Sequence, residues 1–201
     1  MDNMDEEQVL RDVYVLMAEM LSSPCDADGD SGEIAKDAEA VVERLEGSDE
    51  ESAMLLSRFL KEEAISEEDY IDLFELAPKC PLYLGSHTYD EPKTCANAAV
   101  SDRNGYMIEL LGIYKHFGQM PNRSELPDYL PLMLDFLAQT IESKDDPIRE
   151  KYIKEYFLPF IPPMRSRLEE LKTPYLHLLE AMEKVIEGEL KTSPSSKQPT
   201  Q

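Results

Sequence analysis

The sequence is short of positive charge: 20 Lys and Arg stand against 42 Asp and Glu in 201 residues, a formal net charge of −22 at pH 7. Neutralising a phosphate backbone takes clustered Lys and Arg, so nucleic acid is excluded as a partner. Long apolar runs are missing as well. The longest stretch free of Asp, Glu, Lys and Arg runs only from Cys80 to Tyr89. A spanning helix takes about 20 apolar residues, so stable membrane insertion is not expected. The opening residues, MDNMDEEQ, are acidic where an export signal would be basic, and a cytoplasmic protein is expected. Cysteine is scarce: Cys25, Cys80 and Cys95 are odd in number and form no CxxC pair, which speaks for reduced thiols rather than a disulfide framework. Cys80, His87 and Cys95 are spaced like no common zinc site and lack a fourth ligand, so no metal is expected. Only 8 glycines are present and none form a phosphate-cradling loop. Gly85-Ser86-His87 is not a nucleophile elbow, and His87, His116 and His177 have no HExxH-type companion. No catalytic residue and no cofactor are expected.

What is present is apolar mass and asymmetry. With 42% hydrophobic residues the chain can bury a single core and is not an acidic disordered polymer. Residues 1–70 hold 22 acidic and 5 basic side chains, a net of −17; residues 71–201 hold 20 and 15, a net of −5. The negative field of the first third serves either as solvated helix faces or as an attractor that speeds encounter with a cationic partner.

Apolar residues recur at helical spacing almost throughout. Val9, Val13, Leu16/Met17 and Met20 mark a first helix, ended by Pro24 and the run Cys25–Gly32. Ile34, Ala38, Val41/Val42 and Leu45 mark a second, stopped near Gly47. Ser48 with Glu51 reads as a capping box for a helix carrying Leu55, Leu56, Phe59 and Leu60, and Ser66 with Asp69 opens a short one through Tyr70, Leu73 and Phe74. Residues 77–93 are a proline-rich but apolar loop, PLYLGSHTY at its centre. A helix is predicted from about Thr94 to Phe117, with Val100, Met107, Leu111 and Tyr114 inward and Gly118 and Pro121 as its stop. Pro127 fits a first helical turn, which Asp128 complements electrostatically, ahead of Leu130, Met133/Leu134, Leu137 and Ile141. Ile148, Tyr152, Tyr156 and Phe157 form another helix, ended by LPFIPP; Met164, Leu168 and Leu171 follow. Thr173 and Pro174 cap and start the last, through Leu179, Met182 and Ile186. No period-2 strand or internal repeat is visible. The expectation is one all-α domain of about eight or nine helices over residues 1–190, with a polar, disordered tail at 191–201.

Two segments stand out: YIDLFELAPKCPLYLGSHTYDEP (Tyr70–Pro92) and SELPDYLPLMLDFLA (Ser124–Ala138). The second resembles the signature of the TorD/DmsD/NarJ family of chaperones for molybdenum-dependent redox enzymes, a Glu-x-Pro-Asp-x-Leu turn followed by a Leu-x-Phe-Leu-Ala helix. Here it falls on Glu125, Pro127, Asp128, Leu130, Phe136, Leu137 and Ala138. Tyr70-x-x-Leu73-Phe74 followed by Leu82-Tyr83-Leu84 is similar to the family's other landmark, and Ile113–Gly118 fits its long helix. The TorD branch commonly has His where Tyr129 stands and Pro where Leu126 stands; Leu126 and the LYLGSHTYDEP loop look closer to the nitrate-reductase assembly branch.

The resemblance implies a TorD-like helical fold and a non-catalytic assembly factor. Such a protein binds the amino-terminal peptide of a molybdoenzyme catalytic subunit until the molybdopterin cofactor is loaded, before export or membrane docking. It would be a monomer or a helix-swapped dimer. A twin-arginine-type leader joins an Arg-bearing segment to an apolar one; an apolar groove can take the second and the acidic first third can steer the first. Tyr70, Phe74, Leu82, Tyr83, Leu84, Glu125, Leu126, Pro127, Asp128 and Tyr129 are the candidate peptide-binding residues. Within that set Leu82–Leu84 form one wall, Leu126–Tyr129 the opposing lip, and Glu125 and Asp128 are the candidate cation contacts, Asp128 alternatively a helix cap. Two other readings stay open: a permanent helical accessory subunit of a reductase complex, and a metal-dependent hydrolase using clustered carboxylates.

Overall fold

The structure, a computed structural model, describes residues 3–22, 31–62, 65–89, 101–121 and 124–192. Helix α1 (Asn3–Met20) buries Val9, Val13, Leu16 and Met17, the stripe that its three- and four-residue spacing predicts, and adds Tyr14. Helix α2 (Ser31–Glu46) buries Ala38, Val41 and Leu45, and α3 (Glu50–Lys61) buries Leu55 and Leu56. The cap of α3 is one residue later than expected. Asp49, not Ser48, accepts from the Ser52 amide at 3.1 Å, while the Ser48 hydroxyl closes α2 on the Leu45 carbonyl. Asp49 wins because its longer carboxylate reaches both the amide and the hydroxyl of Ser52. At α4 (Glu67–Tyr70) the expected cap is present: Ser66 accepts from the Asp69 amide and donates to its carboxylate. That helix widens into a π-helical turn over Ile71–Glu75, closed by the Leu76 amide on the Ile71 carbonyl.

Helix α5 (Asp102–His116) is capped by Ser101 and stopped by Gly118 at φ 70. The expected start at Thr94 lies outside the described residues, as do Cys25, Cys95 and the tail beyond Thr192. The buried face of α5 is Tyr106, Leu110, Ile113 and Tyr114, with Met107 and Leu111 only half-buried. The face is rotated from the predicted one because apolar side chains occur on every side of this helix, Ile108 standing exposed among them.

Helix α6 (Leu130–Gln139) begins three residues after Pro127, with Pro131 in its first turn. Pro127 and Asp128 therefore form the turn that leads into the helix, and Asp128 does not cap it: Tyr129 holds the cap position and gives the first-turn amides no side-chain cap. Helix α7 (Pro147–Lys151), capped by Asp146, widens into a second π-helical segment, Tyr152–Phe157. Helix α8 (Ile161–Leu171) ends in Lys172 at φ 54, and α9 (Tyr175–Thr192) closes the chain. The Thr173 hydroxyl, expected to cap α9, is buried without a hydrogen-bond partner among the described residues.

The fold is all-α. Helix α1 packs chiefly on α6, α9 on α3 and α8, and α2 on α3 and α1. The described strand-like feature is a lone antiparallel bridge, Tyr83 with Tyr129. Leu130, Met133, Leu134 and Leu137 are wholly buried at the centre, each worth about 1.5–3 kcal/mol of apolar burial. Among the described residues no helix is long and apolar enough to cross a membrane.

Candidate functional site

The apolar loop after α4 and the Glu-Leu-Pro-Asp turn before α6 meet at that bridge. The Leu84 amide donates to the Asp128 carbonyl at 3.0 Å, and the Leu130 amide to the Leu82 carbonyl at 2.8 Å. These two bonds flank Tyr83 and Tyr129, the pairing in which opposed side chains sit closest. Side chains alternate across both segments. Leu82, Leu84, Asp128 and Leu130 point inward and are buried; Tyr83 and Tyr129 point outward, half-buried, their ring centroids 5.3 Å apart. The Tyr83 hydroxyl donates to Glu125 Oε2 at 2.6 Å, and Leu126 next to it is 48% exposed. Burial and the Glu125 carboxylate both push the Tyr83 hydroxyl well above the ordinary tyrosine range.

The loop and the turn are thus bonded into one face, and no open cleft separates Tyr83 from Tyr129. Six of the ten predicted residues, Leu82, Tyr83, Leu84, Asp128, Tyr129 and Glu125, come together by direct bonds or ring contact. Pro127 is buried under the turn, where its carbonyl accepts from the Tyr114 hydroxyl at 2.7 Å. Tyr70 and Phe74 are placed in the interior. The Tyr70 hydroxyl donates to the Leu21 carbonyl, and Phe74 meets Tyr70 and Tyr175 edge-on.

Beneath the outer face lies a polar clasp. Asp128 is 0% exposed; its Oδ2 accepts from the Gly85 amide at 3.0 Å and lies 3.6 Å from Arg103 Nη2. Arg103 also donates to the Ser86 hydroxyl at 2.9 Å. Burial pushes the Asp128 carboxyl above its ordinary value, against the pull of Arg103 and the Gly85 amide. Glycine is required at 85: a Cβ there would stand 2.7 Å from Asp128 Oδ2 and 3.3 Å from the Tyr106 ring. Gly85 and Arg103 were not among the sequence candidates. Their one visible signal is a glycine set among bulky apolar residues; nothing in the chain links Arg103 to a turn 25 positions away.

Chemically the face is suited to recognition. Cys80, the nearby thiol, is wholly buried and burial raises its pKa to about 12, so it is no nucleophile at neutral pH. Burial holds His87 below its ordinary pKa of 6.5, with its ring 2.7 Å from the Pro81 carbonyl. Among the described residues no group of three His, Cys, Asp or Glu side chains is placed to hold a metal. A shallow depression at the start of α4, lined by Ser66, Glu67, Glu68 and Ile71, uses none of the joint's residues.

Helical layers carrying one aromatic, hydrogen-bonded joint define an all-α module. A model of the nitrate reductase delta subunit family matches residues 42–179, both halves of the joint included, and the chain belongs to that family. It is 28% identical over 121 residues to a probable nitrate reductase molybdenum cofactor assembly chaperone, NarJ, of Bacillus subtilis, covering 60% of this chain and 59% of that protein. It is likewise 28% identical over 120 residues to the NarJ of Escherichia coli K12, covering 60% of this chain and 45% of that one. Against the probable chaperone NarW of the same strain it is 26% identical over 130 residues, 65% and 51% of the two chains. The chain spans about half the length of these curated relatives. The match agrees with the branch to which Leu126 and the LYLGSHTYDEP loop pointed.

Proposed function

We propose that this chain is a cytoplasmic, non-catalytic chaperone for a molybdenum-dependent oxidoreductase of the nitrate reductase type. It binds the amino-terminal leader of the catalytic subunit and assists cofactor insertion before export or membrane docking. The names of its relatives support an assembly role. The observation that carries peptide binding is the outer face of the joint. Tyr83 and Tyr129 lie side by side, Leu126 is exposed, and the half-buried Glu125 makes no ion pair among the described residues. Aromatic rings offer large contact area at small entropic cost, and a carboxylate at their edge suits a cationic peptide group. Calorimetric titration with a synthetic peptide of the client's amino terminus should show binding that weakens as salt rises. No binding at low salt would overturn the proposal.

The family's description as a delta subunit favours a second reading, a permanent accessory subunit. Purification of the mature, cofactor-loaded enzyme separates the two: a chaperone is absent from it, and a subunit remains in stoichiometric amount.

A further inference from the structure

The turn Glu125–Tyr129 carries two carboxylates, and they face opposite ways. Glu125 lies on the outer face, held by the neutral Tyr83 hydroxyl. Asp128 lies on the inner face, its charge offset by Arg103 and its Oδ2 bound to the Gly85 amide. Asp128 is wholly buried with Arg103 as its cationic neighbour, so a peptide cation could reach it only by displacing Arg103. We infer that Asp128 is a positioning residue that acts through Gly85 and Arg103 to hold the Tyr83–Tyr129 face, while Glu125 is the carboxylate that meets the peptide's cationic group. This rests on the peptide-binding reading of that face.

Three observations converge on it. Asp128 ties the loop down twice, by its carbonyl to the Leu84 amide and by its carboxylate to the Gly85 amide, so its side chain fixes the backbone two residues beyond the bridge. Nothing larger than glycine fits at 85 without moving that carboxylate or the Tyr106 ring. Among the described residues Arg103 Nε and Asp128 Oδ1 are both buried without hydrogen-bond partners, and they are the atoms that a side-on, two-point ion pair would join.

Kinetics separate the two roles, because a rim charge governs association and its salt dependence whereas a buried charged partner governs dissociation. The probe is the client's synthetic amino-terminal peptide on the full chain, with rates measured at several salt concentrations. Asp128→Asn and Gly85→Ala should each speed dissociation, weakening binding roughly tenfold or more, with the wild-type salt dependence of association retained. Glu125→Gln should slow association and flatten its salt dependence. If Asp128→Asn fails to fold, Arg103→Gln removes the other half of the pair and stands in for it. A core variant, Leu134→Ala, should lower thermal stability and leave dissociation as in wild type. The inference is overturned if Asp128→Asn flattens the salt dependence, if both clasp variants bind normally, or if Leu134→Ala speeds dissociation equally. A peptide that binds with Tyr83→Ala and Glu125→Gln just as with wild type would instead remove the face itself from the binding site.

Discussion

Arg149 in α7 and Glu189 in α9 form an ion pair sealed from solvent, with side-chain exposures of 0% and 4%. The guanidinium grips both carboxylate oxygens, and two further bonds go to Thr140 Oγ1 and the Leu137 carbonyl, each at 3.1 Å. Glu189 also accepts from the Tyr14 hydroxyl at 2.6 Å, and burial together with that carboxylate drives the hydroxyl's pKa far up. One buried network therefore joins α1, the end of α6, α7 and α9. Its partners satisfy each other, which is what makes two buried charges tolerable.

Cutting that network from one side leaves an uncompensated buried charge. Arg149→Ala or Glu189→Ala should cost about 3–5 kcal/mol in urea unfolding, whereas Arg149→Met with Glu189→Leu should cost far less. A single variant losing under about 1 kcal/mol would show that the charges are not sealed in solution.

Gly112 and Gly105 lie within α5, and a Cβ at either would meet nothing within 4 Å. Gly112→Ala should stabilise the protein by about 0.5–1 kcal/mol, through helix propensity and a less free unfolded chain. Thermal unfolding checks this; a lower midpoint would mean that the exposed side of α5 is covered in solution.

The hydroxyl of Tyr83 and the carboxylate of Glu125 should be coupled. A double-mutant cycle of Tyr83→Phe with Glu125→Gln should return about 1 kcal/mol of interaction in unfolding experiments. A value near zero would mean that Glu125 turns to solvent.

Helix starts can be tested against their sequence signals. Asp49→Ala and Ser66→Ala should each cost about 1 kcal/mol, because each supplies a side-chain acceptor to a first-turn amide. Ser48→Ala should cost less than Asp49→Ala. The reverse order would place the α3 cap at Ser48 after all.

His87 makes the loop sensitive to acid. Burial lowers its folded pKa below 6.5, Arg167 adds to the lowering, and the Pro81 carbonyl opposes it. The unfolded chain therefore takes up the proton first on acidification. Its stabilising contribution is full above about pH 6.5 and is lost as pH falls through the folded pKa. The stability gap between wild type and His87→Gln should narrow from pH 7.5 to pH 5.5. A gap that widened would put the charged imidazolium in the fold.

Much of this protein is written in short windows of sequence. The stripes of α1, α2 and α3, the Ser66–Asp69 cap and the Gly118 stop are local signals spanning three or four residues, and backbone geometry alone gives them meaning. The Glu-Leu-Pro-Asp turn and the tyrosine-bearing loop are legible in the same way, and so is the family they indicate. Which carboxylate of that turn faces out is not. Glu125 and Asp128 are chemically alike and three residues apart, and only the loop more than forty positions upstream, with Tyr83 for one and Gly85 for the other, sorts them. The inward face of α5 and the seal between Arg149 and Glu189 were likewise decided by packing. A helix apolar on every side cannot name its own buried face, and a buried charge is tolerable only once its distant partner has arrived. Sequence determined the helices and the joint's chemistry; tertiary structure decided which of its carboxylates is held within and which stands on the outer face.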